Sequence, residues 1–111
     1  MYIINNASTV KNGYYVLTEK VGFSPCVSIS DKGISIGDLL SSNSNNWVRG
    51  TYVIDDNTLT MTTDDNNYIY VFLVDGDNLI FQKNDSSSLD VINNRFGDNV
   101  TDNAIFYLLV E

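Results

Sequence analysis

Apolar and polar residues alternate through four short runs between Gly50 and Gln82, and Asp- and Asn-rich turns break the alternation at three places. Alternation puts successive side chains on opposite faces of a strand, so the turns decide which residues share a face. With Asp56-Asn57 as a two-residue loop, Ile54 faces Leu59 and Tyr52 faces Met61. The stretch "DDNN" at 64–67 closes a second hairpin that sets Met61 opposite Tyr70 and Leu59 opposite Phe72. Gly76-Asp77 closes a third, with Val74 opposite Leu79 and Phe72 opposite Phe81. Asp, Asn and Gly suit such loops because they tolerate positive φ, and Asp and Asn side chains bond the nearby backbone. All three registers gather Tyr52, Ile54, Leu59, Met61, Tyr70, Phe72, Val74, Leu79 and Phe81 on one face. A slip of one residue in any hairpin would destroy that agreement.

The flanks extend the pattern. "GYYVLTEKV" and "CVSISDKGISIG" read as further strands, the second folded around an Asp31-Lys32-Gly33 turn. "DLLSSNSNNW" is a polar connection with room for one short helical turn. "SSSLDVINNRFG" carries helix punctuation: Ser86 or Ser87 as the cap, Leu89, Ile92 and Phe96 on one face, and Gly97 as the stop. "NAIFYLLV" is too apolar for a strand wetted on one side, so it should pair centrally or close a barrel. The expected fold is mainly β: an antiparallel meander forming a small barrel or sandwich, with at most one short helix. Residues 1–111 form a single domain, long enough to bury roughly two-thirds of its unfolded surface without metal or disulfide support.

Composition excludes much of the usual chemistry. Histidine is absent, which removes Ser-His and Cys-His catalysis and most transition-metal sites. No glycine-rich phosphate loop or dinucleotide fingerprint is present. The acidic clumps run directly into strands and lack the glycine and later glutamate of a helix-loop-helix calcium loop, so they read as turns. Glu19 and Asp38 are the carboxylates that lie beside apolar strands, and neither has an evident partner for acid–base work. Cys26, the sole cysteine, sits among apolar and small neighbours and reads as a buried, inert thiol. Trp47 and Arg49 suggest a cation–π pair or a ligand anchor, but the expectation is a Trp plugging one barrel end with Arg as its cap. No catalytic residue, metal site or cofactor is expected.

Charge and surface patterning point to partners instead. Fourteen acidic residues against six basic ones give a net charge of −8. That balance disfavours direct nucleic-acid binding and anionic membranes and favours a basic protein partner. The candidate acidic surface is Asp55, Asp56, Asp64, Asp65, Asp75 and Asp77. Opposite the core face, Thr51, Thr58, Thr60 and Thr62 form ordinary wetted sheet, whereas Ile69, Val71, Leu73 and Ile80 form an aliphatic patch too apolar to stay bare. The expected cover is the chain's own 87–96 segment or its N-terminal residues. The alternative is a partner protein or a second copy, giving a homodimer. The N-terminus lacks a charged region followed by an apolar run, and no stretch reaches the ~18 apolar residues of a membrane span. A cytoplasmic protein is expected as the sequence stands, or an extracytoplasmic one where an export signal has been trimmed.

The order of these features also resembles a known family. "ISIGDLLSSNSNNWVRGTYVIDDNTLTMTTDDNNYIYVFLVDGDNLIFQKNDSSSL", followed by "VTDNAIFYL", is similar over residues 34 to 108 to a small bacterial lipocalin-like β-meander domain of unknown function. Such domains stand alone or are attached to sensor-transducer proteins of the antibiotic-sensing metallopeptidase type. The resemblance implies a β-barrel fold and carries over no catalytic residue. Three functions fit: a non-catalytic protein-interaction module, which is the expectation; a small acidic phage-type inhibitor that mimics nucleic acid on a nuclease, as anti-CRISPR proteins do; and a lipocalin-like carrier of an apolar ligand.

Overall fold

The computed structural model describes residues 10–17, 24–39, 47–93 and 96–109. Eight strands follow in chain order: β1 (Gly13–Leu17), β2 (Pro25–Ser30), β3 (Gly33–Asp38), β4 (Val48–Asp55), β5 (Thr58–Thr63), β6 (Ile69–Asp75), β7 (Asn78–Phe81) and β8 (Ile105–Leu108). Each pairs antiparallel with the next, and β8 returns to β1, so the meander closes into a barrel. The three hairpin registers read from the sequence are the ones observed: Ile54 opposite Leu59, Met61 opposite Tyr70, and Val74 opposite Leu79. β8 closes the ring with Phe106 pointing inward between Leu79 and Leu17.

The interior is filled by large side chains. Tyr15, Tyr70, Phe72 and Phe81 are fully or almost fully buried, and Phe72 touches Phe81 and Phe106 at ring separations of 5.6 and 5.9 Å. Side chains of this size fill the lumen of an eight-stranded barrel. Each buried phenol finds a main-chain acceptor: Tyr15 donates to the Lys11 carbonyl at 2.6 Å and Tyr70 to the Ser88 carbonyl at 2.9 Å.

Between β7 and β8 the structure departs from the expected helix. Two 3-10 turns, Lys83–Asp85 and Leu89–Val91, precede a single α-helical turn, α1 (Phe96–Asn99). Ser88 caps the second 3-10 turn by accepting the Asp90 N–H, while Ser86 and Ser87 are engaged elsewhere. β7 ends at Phe81, short of the start of β6, so the amides of Ile69 and Val71 have no strand beside them. The Ser87 hydroxyl accepts the Ile69 N–H at 3.0 Å, and the Ser86 hydroxyl accepts the Val71 N–H at 2.8 Å. Strand amides without a neighbouring ladder need other acceptors, and this requirement takes both serines away from helix capping. Gly97 lies inside α1 rather than stopping a longer helix. Leu89 and Phe96 still reach the core, as does Val100, so this connection closes one end of the barrel.

Strand stagger leaves a second irregularity. β4 pairs with β5 from Gly50 to Asp55 but with β3 only at Val48, Arg49 and Gly50. Tyr52 and Ile54 face inward yet are only half-buried, because β3 has ended before it reaches them.

Candidate protein-docking surface

Pairing direction sorts the turns to the two barrel ends. The β2–β3, β4–β5 and β6–β7 turns share one end with the residues entering β1. There Lys11 forms an ion pair with Asp77 at 2.7 Å, and Asn12 donates to Asp31 at 2.8 Å. Asp55, Asp56, Asp75 and Asp77 therefore stand together with Asp31, whereas Asp64 and Asp65 lie at the far end. The six candidate carboxylates are two groups, not one surface. Among the described residues, no group of three or more His, Cys, Asp or Glu side chains is placed to hold a metal ion.

Asp56 and Asp65 have local work in their turns. Asp56 holds a left-handed backbone position, φ 55°, that the two-residue loop demands. Asp65 accepts the Thr63 hydroxyl at 2.6 Å and the Asn67 N–H at 3.0 Å. The Thr63 hydroxyl, and then the Asn67 N–H, hold the Asp65 carboxyl below its ordinary range. Thr63 is buried and also accepts the Tyr68 N–H, so one hydroxyl organises the whole β5–β6 turn.

The aliphatic patch is found where the registers put it. Ile69, Val71 and Leu73 face outward on β6, and Leu73 stands opposite Ile80 of β7. Closure of the barrel adds a residue that the hairpins alone did not reveal: Ile80 is in turn opposite Ile105 of β8. Leu73, Ile80 and Ile105 thus form a cross-strand row, with Asp55 at its β4 end through Thr58. Ile69 is 44% and Leu73 36% exposed, and Val71, Ile80 and Ile105 are half-buried. The 87–96 segment expected as a cover turns inward and contributes Leu89 and Phe96 to the core. The N-terminal residues 1–9, the other expected cover, lie outside the described residues, as do Glu19 and most of the polar connection from Leu40 to Asn46.

One other sequence expectation is corrected by position. Trp47 does not plug the barrel: its indole lies on the outer wall over Gly37 and meets Tyr14 edge-on at 6.5 Å, while Arg49 is exposed. The outward direction follows from parity, since Ile34 and Ile36 of β3 are the inward residues. Asp38 accepts the Ser24 N–H at 3.2 Å. Cys26 is buried as expected, although it faces outward beside Gly37, and burial pushes its thiol up to about 12. Trp47, Val48, Arg49, Thr63, Asp64 and Asp65 line an open cleft of about 390 Å³.

No helix among the described residues is long and apolar enough to cross a membrane. Comparison of the chain with protein-family models, with curated proteins and with solved structures gives no match. The small closed antiparallel barrel is consistent with a lipocalin-like fold.

Proposed function

We propose that this protein is a non-catalytic interaction module that binds another protein through the outer wall of β6, β7 and β8. One observation carries the reading: the aliphatic row Leu73–Ile80–Ile105, with Ile69 and Val71 beside it, stands on the outer face while an equally apolar set already fills the inside. A contiguous apolar strip with carboxylates at its end fits a protein partner that brings aliphatic and basic side chains together. The absence of catalysis belongs to the proposal. It is supported by carboxylates that sit on turns and by a thiol and two phenols that burial holds protonated. The likeness to lipocalin-like domains attached to sensor proteins agrees with a module whose wall, rather than its lumen, makes the contact.

The test is capture of partners from cells by the native protein and by Leu73→Lys. Leu73 is more than one-third exposed, so the fold should survive the substitution while complex formation fails. Unchanged capture by Leu73→Lys and Ile80→Lys would falsify the reading.

The acidic-inhibitor reading keeps one specific support, the convergence of Asp31, Asp55, Asp56, Asp75 and Asp77 at a single barrel end. Carboxylates gathered in this way stand in for a run of phosphates on a basic groove. Binding of that kind weakens steeply with salt and is lost when Asp55 and Asp75 become Asn, whereas docking on the aliphatic wall keeps most of its strength under both changes.

A further inference from the structure

We infer that the free edge of β4 from Thr51 to Asp55 is a strand-addition site for an extended, basic segment of another protein. The inference rests on the reading of the barrel as a binding module, but it uses a different surface from the aliphatic wall.

The direction of the main-chain groups can be read from the hydrogen bonds at both ends of the hairpin. Asp64 N–H donates to the Arg49 carbonyl, so Arg49 points its main chain toward β5. On the other strand, Val74 N–H donates to the Asn57 carbonyl and Thr63 N–H to the Tyr68 carbonyl, so the odd-numbered residues of β5 face β6. Thr58, Thr60 and Thr62 then face β4, and they bond Asp55, Val53 and Thr51, their register partners. Gly50, Tyr52 and Ile54 must therefore aim their N–H and C=O groups the opposite way, toward β3. Gly50 is met there by Ile34. Among the described residues nothing meets Tyr52 and Ile54, because β3 begins at Gly33 and the Lys32 N–H is turned aside to the Ser30 hydroxyl. Two donors and two acceptors, spaced as a strand requires, face away from the barrel along one edge.

The surroundings suit an added strand and select its character. Val53, the most exposed large apolar residue described at 68%, lies on the outer side of this edge, and half-buried Tyr52 and Ile54 lie on the inner side. An incoming strand would set alternate side chains over each. Asp55 and Asp56 stand at one end of the edge and Asp31 beside Lys32 where β3 stops, so carboxylates outnumber cations around it. A second copy of this chain is disfavoured as the occupant, since each copy carries −8. A segment alternating small apolar residues with Lys or Arg matches the edge in hydrogen bonding, in side-chain spacing and in charge.

The experiment uses the isotope-labelled full chain and a short synthetic peptide of alternating valine and lysine. In the free protein the Tyr52 and Ile54 amides should exchange with solvent far faster than those of Thr51 and Val53, and the peptide should slow them. N-methylation of the peptide on its pairing edge removes the donors that Tyr52 and Ile54 would accept, and should weaken binding about tenfold or more. Asp55→Asn should reduce the salt dependence of binding. The inference is overturned if Tyr52 and Ile54 amides are already protected in a free monomer, since the chain then covers its own edge. It is also overturned if their protection tracks dimer formation, if the methylated peptide binds as well, or if the peptide perturbs Leu73 and Ile80 instead. Leu73→Lys separates the two readings: it should leave peptide binding intact, so loss of one interaction without the other shows which surface has failed.

Discussion

The indole of Trp47 occupies the space in which a side chain on Gly37 would stand, with ring atoms 2.4 Å from where a Cβ would be. A flat ring can lie this close to a sheet only where the strand offers no side chain. Gly37→Ala should push the indole off the wall, lowering stability by roughly 1–3 kcal/mol, as overpacking does. The check is a red shift in tryptophan emission together with a lower urea midpoint, and a variant that keeps the native emission would contradict the placement.

Cys26 is paired with Gly37 on the same outer face and is nonetheless fully buried. Removing the indole by Trp47→Ala should open this position to solvent. The native protein should react slowly with a thiol-specific reagent at mildly alkaline pH, because burial pushes the thiol up to about 12, and the variant should react many times faster.

High pH should unfold this protein through three groups. Tyr15, Tyr70 and Cys26 are each pushed up to about 12 by burial, from ordinary values of 10.0 for the phenols and 9.0 for the thiol. Between pH 9 and 12 the unfolded chain gives up these protons before the folded one does. The stability they contribute is complete below pH 9 and is lost as the pH rises toward 12. Urea midpoints should therefore fall across that window. Tyr70→Phe should flatten the fall, and at neutral pH it should cost about 1 kcal/mol for the lost bond to Ser88.

Asp65 gives a second pH effect of opposite sign. Its carboxyl is held low by the Thr63 hydroxyl and the Asn67 N–H, so its contribution is present above the ordinary carboxylate value and disappears as the pH falls through the lowered one. Asp65→Asn keeps an acceptor oxygen and should fold like the native protein while losing part of the acid sensitivity below about pH 4. Asp65→Ala should loosen the hairpin and speed amide exchange at Asn67 and Tyr68. Added calcium should change the melting temperature of neither variant nor of the native chain.

Gly50 supports the seam between β4 and β5. A Cβ there would meet the Thr62 carbonyl oxygen at 2.2 Å, and neither strand can move aside without breaking the ladder. Gly50→Ala should be among the most destabilising single changes in the chain, visible as a large fall in melting temperature or failure to accumulate folded protein.

What the sequence disclosed and what it hid divide along a physical line. The β4–β7 registers were legible because each depends on a short turn and on period-two alternation, both local properties. Ile54 opposite Leu59 needs only the loop Asp56-Asn57 between them. The apolar density of "NAIFYLLV" pointed to central pairing or barrel closure, and closure is what β8 provides. Ser86 and Ser87 were misread as helix caps because the same hydroxyl serves a helix end or a strand edge, and the outcome depends on β7 stopping at Phe81. Ile105 joins the aliphatic row only once the ring is shut. Trp47 over Gly37 joins residues ten apart through a loop, and a lone glycine within a strand does not announce what lies on it.

The two hydroxyls at Ser86 and Ser87 also fix the valence of this barrel as a building block. A ladder made of main chain tolerates most substitutions, but one completed by side chains can be undone by changing them. With the serines in place, the Ile69 and Val71 amides are occupied and β4 offers the one open edge described, so a barrel that accepts a strand there has no second edge on which to add another. With alanine at both positions, the Ile69 and Val71 amides would lose their acceptors, and the edge of β6, two strands from the first, would be left partly open. A unit with two unlike open edges can be linked head to tail without limit, and its end state is a filament rather than a complex.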